Sequence, residues 1–377
     1  MPHSKPSRSL LDHFSALEDP RQQWKVVYPL PEILLVILSA TLAGADDFVE
    51  IAAWAEERID FLRQFLPFDN GIPSHDTLND VMNALDPTLF EACFVAWVQQ
   101  LQDDDPDIVA IDGKTSRRAH DRHRGRAPLH TVSAWASRQR LVLGQQAVEE
   151  KSNEITAIPL LLEKLTLQGA LVTIDAIGAQ NDIAERILAR GGDYLLALKA
   201  NRPALHDEVA RFFEDPPENA VSRFETTDSG HGRIEVRRHA VCHEVHWLFS
   251  DRRYPGEPAL KGLAMIAMVE STVERDGKTL RSRRYYISSA PLDAETFARA
   301  VRAHWGVENR LHWVLDVIFH DDMMRLRKGF GAQNMAIVRH MAVNLLQATK
   351  PVASLKVRRK KAAWSTDYLK QVLMGTA

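Results

Sequence analysis

The chain has 377 residues, 45% of them hydrophobic and 26% charged, with 47 Lys and Arg against 50 Asp and Glu for a net charge of −3. That length and balance suit two or three globular units with a large core, and they exclude wholesale disorder. The two cysteines, Cys93 and Cys242, fit a reducing compartment and exclude a disulfide scaffold or a cysteine-rich zinc cage.

The first residues, Met1 to Arg8, are polar, carry two prolines and lead into no apolar signal segment. The longest apolar run, Ile33 to Ala45, falls short of the roughly 20 residues that cross a bilayer. A cytoplasmic protein with no membrane partner is expected. Residues 1–102 read as a helical domain. Ile33, Val36, Ile37 and Ala40 repeat at helical spacing behind Pro31. Phe48, Ile51, Ala52, Ala55 and Ile59 mark a second helix. Asp76 to Leu85 and Pro87 to Leu101 mark two more, after a loop at Pro67 to Ser74. The short turn before Asp76 suits a DNA-contacting helical module as well as a plain bundle.

Asp103-Asp104-Asp105-Pro106-Asp107 cannot continue a helix and reads as a linker. The period then changes. Ile108 to Ile111 is a short apolar run, as expected of a strand buried on both faces. Leu129 to Ala136 and Leu141 to Val148 are two further strands around a turn at Ser137 to Arg140. A helix follows, with Thr156 as its cap and Pro159 in its first turn. Leu171 to Ile174 is a strand, Asn181 to Ala189 a helix ended by Gly191-Gly192, Tyr194 to Leu198 a strand, and Pro203 to Phe213 a helix. The sequence is that of an α/β unit with a mixed sheet over 107–214. Strand patterns at Ile234 to Val245, Leu263 to Val269 and Tyr285 to Ser288, with a turn at Asp276-Gly277, make 215–292 a strand-rich insertion. Helical period returns over 293–348, at Ala294 to Phe319 and Asn334 to Leu346, and 349–377 is a basic tail.

Asp112 ends the first buried strand and Asp175 the fourth, each after a short, largely apolar run and before small residues. Either aspartate alone could simply open a turn. The matched pair in one sheet suggests a shared hard cation, and carboxylate oxygen suits Mg²⁺ or Mn²⁺. Glu308 is the best third carboxylate, on a helix with His312 four and Asp316 eight residues on, among Trp305, Trp313 and Leu315. Six Lys or Arg against one Asp fall between Lys114 and Arg126, and seven against one between Lys350 and Lys370. Arg281, Arg283 and Arg284, and Arg325, Arg327 and Lys328, form smaller clusters. Carboxylates ringed by basic segments suit a polyanion whose phosphate must meet metal ions. His239, His243, His246 and Cys242 invite a zinc site, but on a strand His246 faces away from the other two.

Several motifs together carry a resemblance. They are Asp112-Gly-Lys-Thr-Ser-Arg, Glu150-Lys-Ser-Asn-Glu154-Ile-Thr-Ala-Ile-Pro159, Thr173-Ile-Asp-Ala-Ile-Gly-Ala-Gln180, Gly192-Asp-Tyr-Leu-Leu-Ala-Leu-Lys-Ala-Asn201, His231-Gly-Arg-Ile-Glu235 and His304-Trp-Gly-Val-Glu-Asn-Arg-Leu-His-Trp-Val-Leu-Asp316. Over nearly the whole chain it resembles the ISAs-type insertion-sequence transposases, the group that includes the H-repeat-associated proteins. The resemblance implies a DDE transposase with a ribonuclease-H-like core interrupted by a strand-rich insertion. It implies Asp112, Asp175 and Glu308 as the catalytic, metal-holding triad, with two Mg²⁺ or Mn²⁺ ions.

The expected partner is double-stranded DNA, at the element's ends and at the target, bound by a homodimer at the nucleoid. Lys114, Arg117, Arg118, Lys199 and Arg233, with Lys356, Arg358, Arg359, Lys360 and Lys361 of the tail, are the expected DNA contacts. His231 or His304 could orient water. The alternative is a domesticated or inactive relative that acts as a metal-dependent nuclease or as a DNA-binding protein.

Overall fold

The structure, a computed structural model, describes residues 9–120, 127–149, 152–199, 202–217, 219–230, 233–249, 260–275, 278–350 and 353–375. Met1 to Arg8, the end of the first basic run from Asp121 to Arg126, His231 and the turn residues Asp276 and Gly277 lie outside the described residues.

Six helices open the chain: α1 (Leu10–Ser15), α2 (Leu30–Leu42), α3 (Phe48–Glu57), α4 (Ile59–Leu62), α5 (His75–Ala84) and α6 (Pro87–Leu101). Their starts follow local chemistry. Pro31 sits in the first turn of α2, and the side chains of Asp47, Ser74 and Asp86 cap α3, α5 and α6. Helix α2 is apolar all round and is accordingly buried along nearly its whole length.

Nine strands then form one mixed sheet: β1 (Ile108–Ser116), β2 (Leu129–Ala136), β3 (Leu141–Ala147), β4 (Leu171–Ile174), β5 (Asp193–Leu198), β6 (Ser222–Gly230), β7 (Arg233–Cys242), β8 (Met265–Arg275) and β9 (Lys278–Ser288). Their order is β3-β2-β1-β4-β5-β9-β8-β7-β6. Strand β1 is antiparallel to β2 and parallel to β4, and β4 is parallel to β5. Strand β9 pairs antiparallel with β5, from Leu195↔Ser288 to Leu198↔Tyr285. The strand-rich segment therefore extends the same sheet.

Helices α7 (Glu154–Lys164), α8 (Asn181–Ala189) and α9 (Pro203–Glu214) alternate with the strands of the first half. Helix α10 (Ala294–Gly306) packs on β1 and β4. Helix α12 (Gly331–Ala348) joins the N-terminal helices to the sheet by packing on α2, α5, α6 and β3. Two buried asparagines fix it there. Asn334 Nδ2 donates to the carbonyls of Met82 and Leu85, both at 2.9 Å. The Asn344 amide pairs with the backbone N–H and C=O of Val142 on the edge strand β3, at 2.8 and 2.9 Å.

Four expectations need correction. Asp112 does not end β1. The strand runs on to Ser116 because β2 stays paired with it over its length, while β4 stops opposite Ile111. Helix α7 is capped by Asn153, whose side chain accepts from Ile155 N at 3.0 Å, so Thr156 and Pro159 lie further inside than expected. The helix expected over Ala294 to Phe319 is continuous to Val317 but not uniform: a π-helical segment, Val307–His312, joins α10 to α11 (Trp313–Val317). The basic tail is two helices, α13 (Leu355–Trp364) and α14 (Thr366–Met374), packed on α12 and α2. No single described helix is long and apolar enough to cross a membrane.

Candidate active site

The parallel ladder of β1 and β4 ends at Ile111↔Ile174, and the next residue on each chain is an aspartate. Asp112 and Asp175 thus stand side by side where the parallel pairing stops, with Asp112 still paired to Ser133 of β2. Asp175 also opens a 3-10 turn, Ala176–Gly178, where its side chain accepts from Ile177 N at 2.9 Å. The turn-forming role and a ligand role are compatible, because a carboxylate has several acceptor sites.

Glu308 lies in the π-helical segment that follows α10, this segment packs on β1 and β2, and the Glu308 charge acts on Asp112. Such widened turns recur at functional sites. Asp112 registers the gathering. Burial is the chief cause that raises its pKa to about 7; a hydrogen bond from Gly113 N opposes the shift, and the charges of Glu154, Asp175 and Glu308 add to it. Among the described residues no lysine or arginine forms an ion pair with Asp112, and its nearest basic partner is His312 Nδ1, 3.6 Å from Oδ2. Burial, reinforced by Lys114, lowers His312 to about 4. His304, four residues before Glu308, is turned to Thr173, with Nδ1 3.0 Å from the hydroxyl oxygen, and burial lowers its pKa against the pull of Asp175. The oxygens of Asp112, Asp175 and Glu308 are not all within 4.8 Å of one another; the described trio that is comprises Asp316, Asp321 and Asp322.

That second cluster is filled from within. Lys114 Nζ lies 2.7 Å from Asp316, 2.9 Å from Asp321 and 3.5 Å from Asp322. Asp321 also accepts from Ser116 Oγ at 2.8 Å and from Arg339 at 2.7 Å. Burial alone would raise Asp321, but Arg339 and Lys114 bring it down to about 2. Burial likewise opposes the Lys114 ammonium, yet Asp321 and Asp316 hold its pKa above the ordinary value. Lys114 is therefore not a free phosphate contact. Its direction was readable, since Lys114 and Ser116 alternate with Gly113 and share the face of Asp112. Asp321, Asp322 and Arg339 were missed, because nothing local marks a partner some two hundred residues away.

The other basic candidates divide. Arg117 and Arg118 are exposed, with Arg117 Nε 3.6 Å from Asp322. Lys199 is exposed directly after β5, on the side where the parallel strand β4 ends at Asp175. Arg233 opens β7, its backbone opposite Gly230 and Arg275. Lys356, Lys360 and Lys361 are exposed on α13. Arg358 and Arg359 of the same helix are buried, which corrects their assignment to DNA. Arg358 donates to the carbonyls of Leu346 and Thr349, at 2.6 and 3.2 Å. Arg359 donates to the carbonyls of Thr41 and Ile318 and pairs with Asp46 at 3.1 Å.

The zinc alternative disperses. His239 Nδ1 is 3.3 Å from the Phe224 carbonyl oxygen, His243 Nε2 is 2.9 Å from that of Leu292, and Cys242 turns to Glu244.

A mixed sheet thus sets two aspartates on neighbouring parallel strands, and the charge of a glutamate from a later π-helical segment acts on the first of them. Residues 103–345 match the family model described as a transposase DDE domain, and residues 11–98 match the DDE_Tnp_1-associated model. The chain belongs to the DDE transposase family. It is 40% identical to the H repeat-associated putative transposase YhhI of Escherichia coli K12, across 98% of each chain. It is 42% identical to the putative transposase YncI of Escherichia coli O157:H7, across 97% of this chain and 94% of that one. The inactive transposase YbfQ of strain K12 is 42% identical over 20% of this chain and 90% of its own.

Proposed function

We propose that this protein is the transposase of a bacterial insertion sequence, cleaving DNA strands at the ends of its element and joining them to a target. It would act in the cytoplasm, at the nucleoid, as a homodimer on DNA. One observation carries the reading: Asp112 is crowded by carboxylates at the end of a parallel ladder, with no described lysine or arginine to pair it. Such a site calls for a cation from outside the chain. The donors are carboxylate oxygens, which fit Mg²⁺ or Mn²⁺. We assign Asp112, Asp175 and Glu308 as the residues that would hold two such ions. Bound ions would activate water or a 3′-hydroxyl and stabilise the leaving oxygen of an in-line displacement.

The chain's own part is placement. The β1–β4 register sets two carboxylates side by side, the π-helical segment brings the third, and Thr173 steadies His304 at the edge of the site. A ribonuclease-H-like core over 107–214 and 293–348 is supported by the run β3-β2-β1-β4-β5, with β1, β4 and β5 parallel and β2 and β3 a hairpin beside them. Arg117, Arg118, Lys199, Arg233, Lys356, Lys360 and Lys361 are the proposed phosphate contacts.

The test is Mg²⁺-dependent nicking of the element's own ends, followed by joining into a target plasmid. The parent should nick and join, and Asp112→Ala should do neither. Nicking without joining would make the protein a plain nuclease. Equal nicking by Asp112→Ala would remove Asp112 from the chemistry.

A further inference from the structure

Glu154 has no place in the triad, yet its charge acts on Asp112 alongside those of Asp175 and Glu308. It is the first residue of α7, where the free N–H groups of the helix start favour a negative side chain. Its carboxylate lies against the backbone of Gly113, the residue after Asp112. A Cβ at Gly113 would collide with Glu154 Oε1 and stand 2.9 Å from His130 Nε2. Glycine is needed here for close approach, because its φ is ordinary.

His130 of β2 fixes the carboxylate. Its Nδ1 is 2.8 Å from Thr115 Oγ1 and its Nε2 is 2.8 Å from Glu154 Oε1. The neutral tautomer suits both contacts: the Thr115 hydroxyl donates to Nδ1, and Nε2–H donates to Glu154. A carboxylate held this way by an imidazole is oriented before any ligand arrives. A second observation lies beside the same carboxylates. His312 is 9% exposed, its Nδ1 stands 3.6 Å from Asp112, and its Nε2 is buried with no hydrogen-bond partner among the described residues.

We propose that Glu154 is a fourth carboxylate of the metal site, facing the ion beside Asp112, and that His130 is its positioning residue. This rests on the metal-site reading above. If Glu154 merely anchored the start of α7, nothing would require its carboxylate to press into the backbone beside Asp112.

The experiment titrates Mn²⁺ alone into the full chain by calorimetry and follows thermal melting of the same samples. Glu154→Gln keeps the shape of the side chain and can still accept from His130. It should bind Mn²⁺ at least about tenfold more weakly than the parent and melt no lower without metal. Gly113→Ala should also weaken Mn²⁺ binding, by displacing the carboxylate with the chain's charge unchanged. If Asp112→Asn loses Mn²⁺ while Glu154→Gln binds like the parent, Glu154 is outside the ion's reach and this inference fails alone. It fails in the same way if Glu154→Gln melts well below the parent and Gly113→Ala binds normally. If the parent binds no Mn²⁺, or Asp112→Asn binds as tightly as the parent, the metal-site reading fails and takes this inference with it.

Discussion

Two acidic clusters share strand β1, and they solve the same electrostatic problem in opposite ways. Around Asp321 the chain supplies its own cations, Lys114 and Arg339, and a wholly enclosed carboxylate is held at about 2. Around Asp112, two residues before Lys114, the neighbours are more carboxylates and the group is raised to about 7. Proximity alone would favour Asp316, Asp321 and Asp322 for a metal, since they are the tighter group. Counting countercharge reverses the choice. The Asp321 cluster is a clamp that ties β1 to the segment after Glu308 and to α12. The Asp112 cluster is left with charge for something else to neutralise.

The sharpest way to break this contrast is to remove charge from each side and compare activity. Glu308→Gln should reduce strand cleavage by at least about 10² to 10³-fold, the scale expected when a group acting on the transition state's charge is lost. DNA binding should survive. Without metal the variant should melt with the parent or slightly above it, because one of several like charges has gone. A nicking assay beside melts with and without Mn²⁺ reads both. A variant that nicks at the parent's rate would remove Glu308 from the triad and turn attention to Asp316.

Asp321→Ala should do the reverse. It strands Arg339 as a buried cation without its carboxylate and takes one of three carboxylates from Lys114, a change that costs about 3–5 kcal/mol. Urea unfolding should show the loss, and added Mn²⁺ should not repair it. Loss of less than about 1 kcal/mol would mean that the clamp is not a structural tie.

Much of this division was legible in the sequence, and the reason it was not wholly so is physical. The short, largely apolar runs before Asp112 and Asp175 are local signals, so the strands and the pair of aspartates are legible directly. The single-turn spacing of Glu308 and His312 survived only in part, because a π-helical segment is set by packing rather than by composition. The tail looked like a solvated basic run, since six basic residues crowd Lys350 to Lys361. Burial of Arg358 and Arg359 depends on carbonyls of α2 and α12 that sequence spacing does not disclose. Lys114 was misplaced for the same reason: its partners are contributed from some two hundred residues away.

The two clusters should also carry opposite pH signatures. Asp112 has a folded-state value near 7 against an ordinary 3.8, so its contribution to stability is complete below about pH 4. That contribution is lost as pH rises through about 7. Asp321, depressed to about 2, contributes above the ordinary carboxylate range and loses that contribution only as pH falls toward 2. Between pH 5 and 8 the metal-free parent should therefore lose melting temperature relative to Asp112→Asn, on the order of a few degrees. Mn²⁺ should narrow the gap. Melting curves of parent and variant that run parallel across this window would show that Asp112 is not strained in its charged form.

The smallest effect concerns a second division of charge, now among cations on one helix. Arg358 and Arg359 spend their hydrogen bonds on backbone carbonyls inside the protein, whereas Lys356, Lys360 and Lys361 point outward on α13. Only the outward set is free to displace counterions from DNA. Replacing Lys356, Lys360 and Lys361 with Ala should leave melting nearly unchanged, because exposed charges contribute little to stability. If each lysine meets one phosphate, the slope of log K against log salt should become shallower by roughly 2 to 3. Arg359→Ala should behave differently, lowering the melting temperature by opening the contact between α13, α2 and Ile318. Binding measured over a salt series, with melts of both variants, separates the two roles. An unchanged salt slope in the triple variant would take α13 off the DNA path, and an Arg359→Ala protein as stable as the parent would show that the buried arginine is not what holds the helix in place.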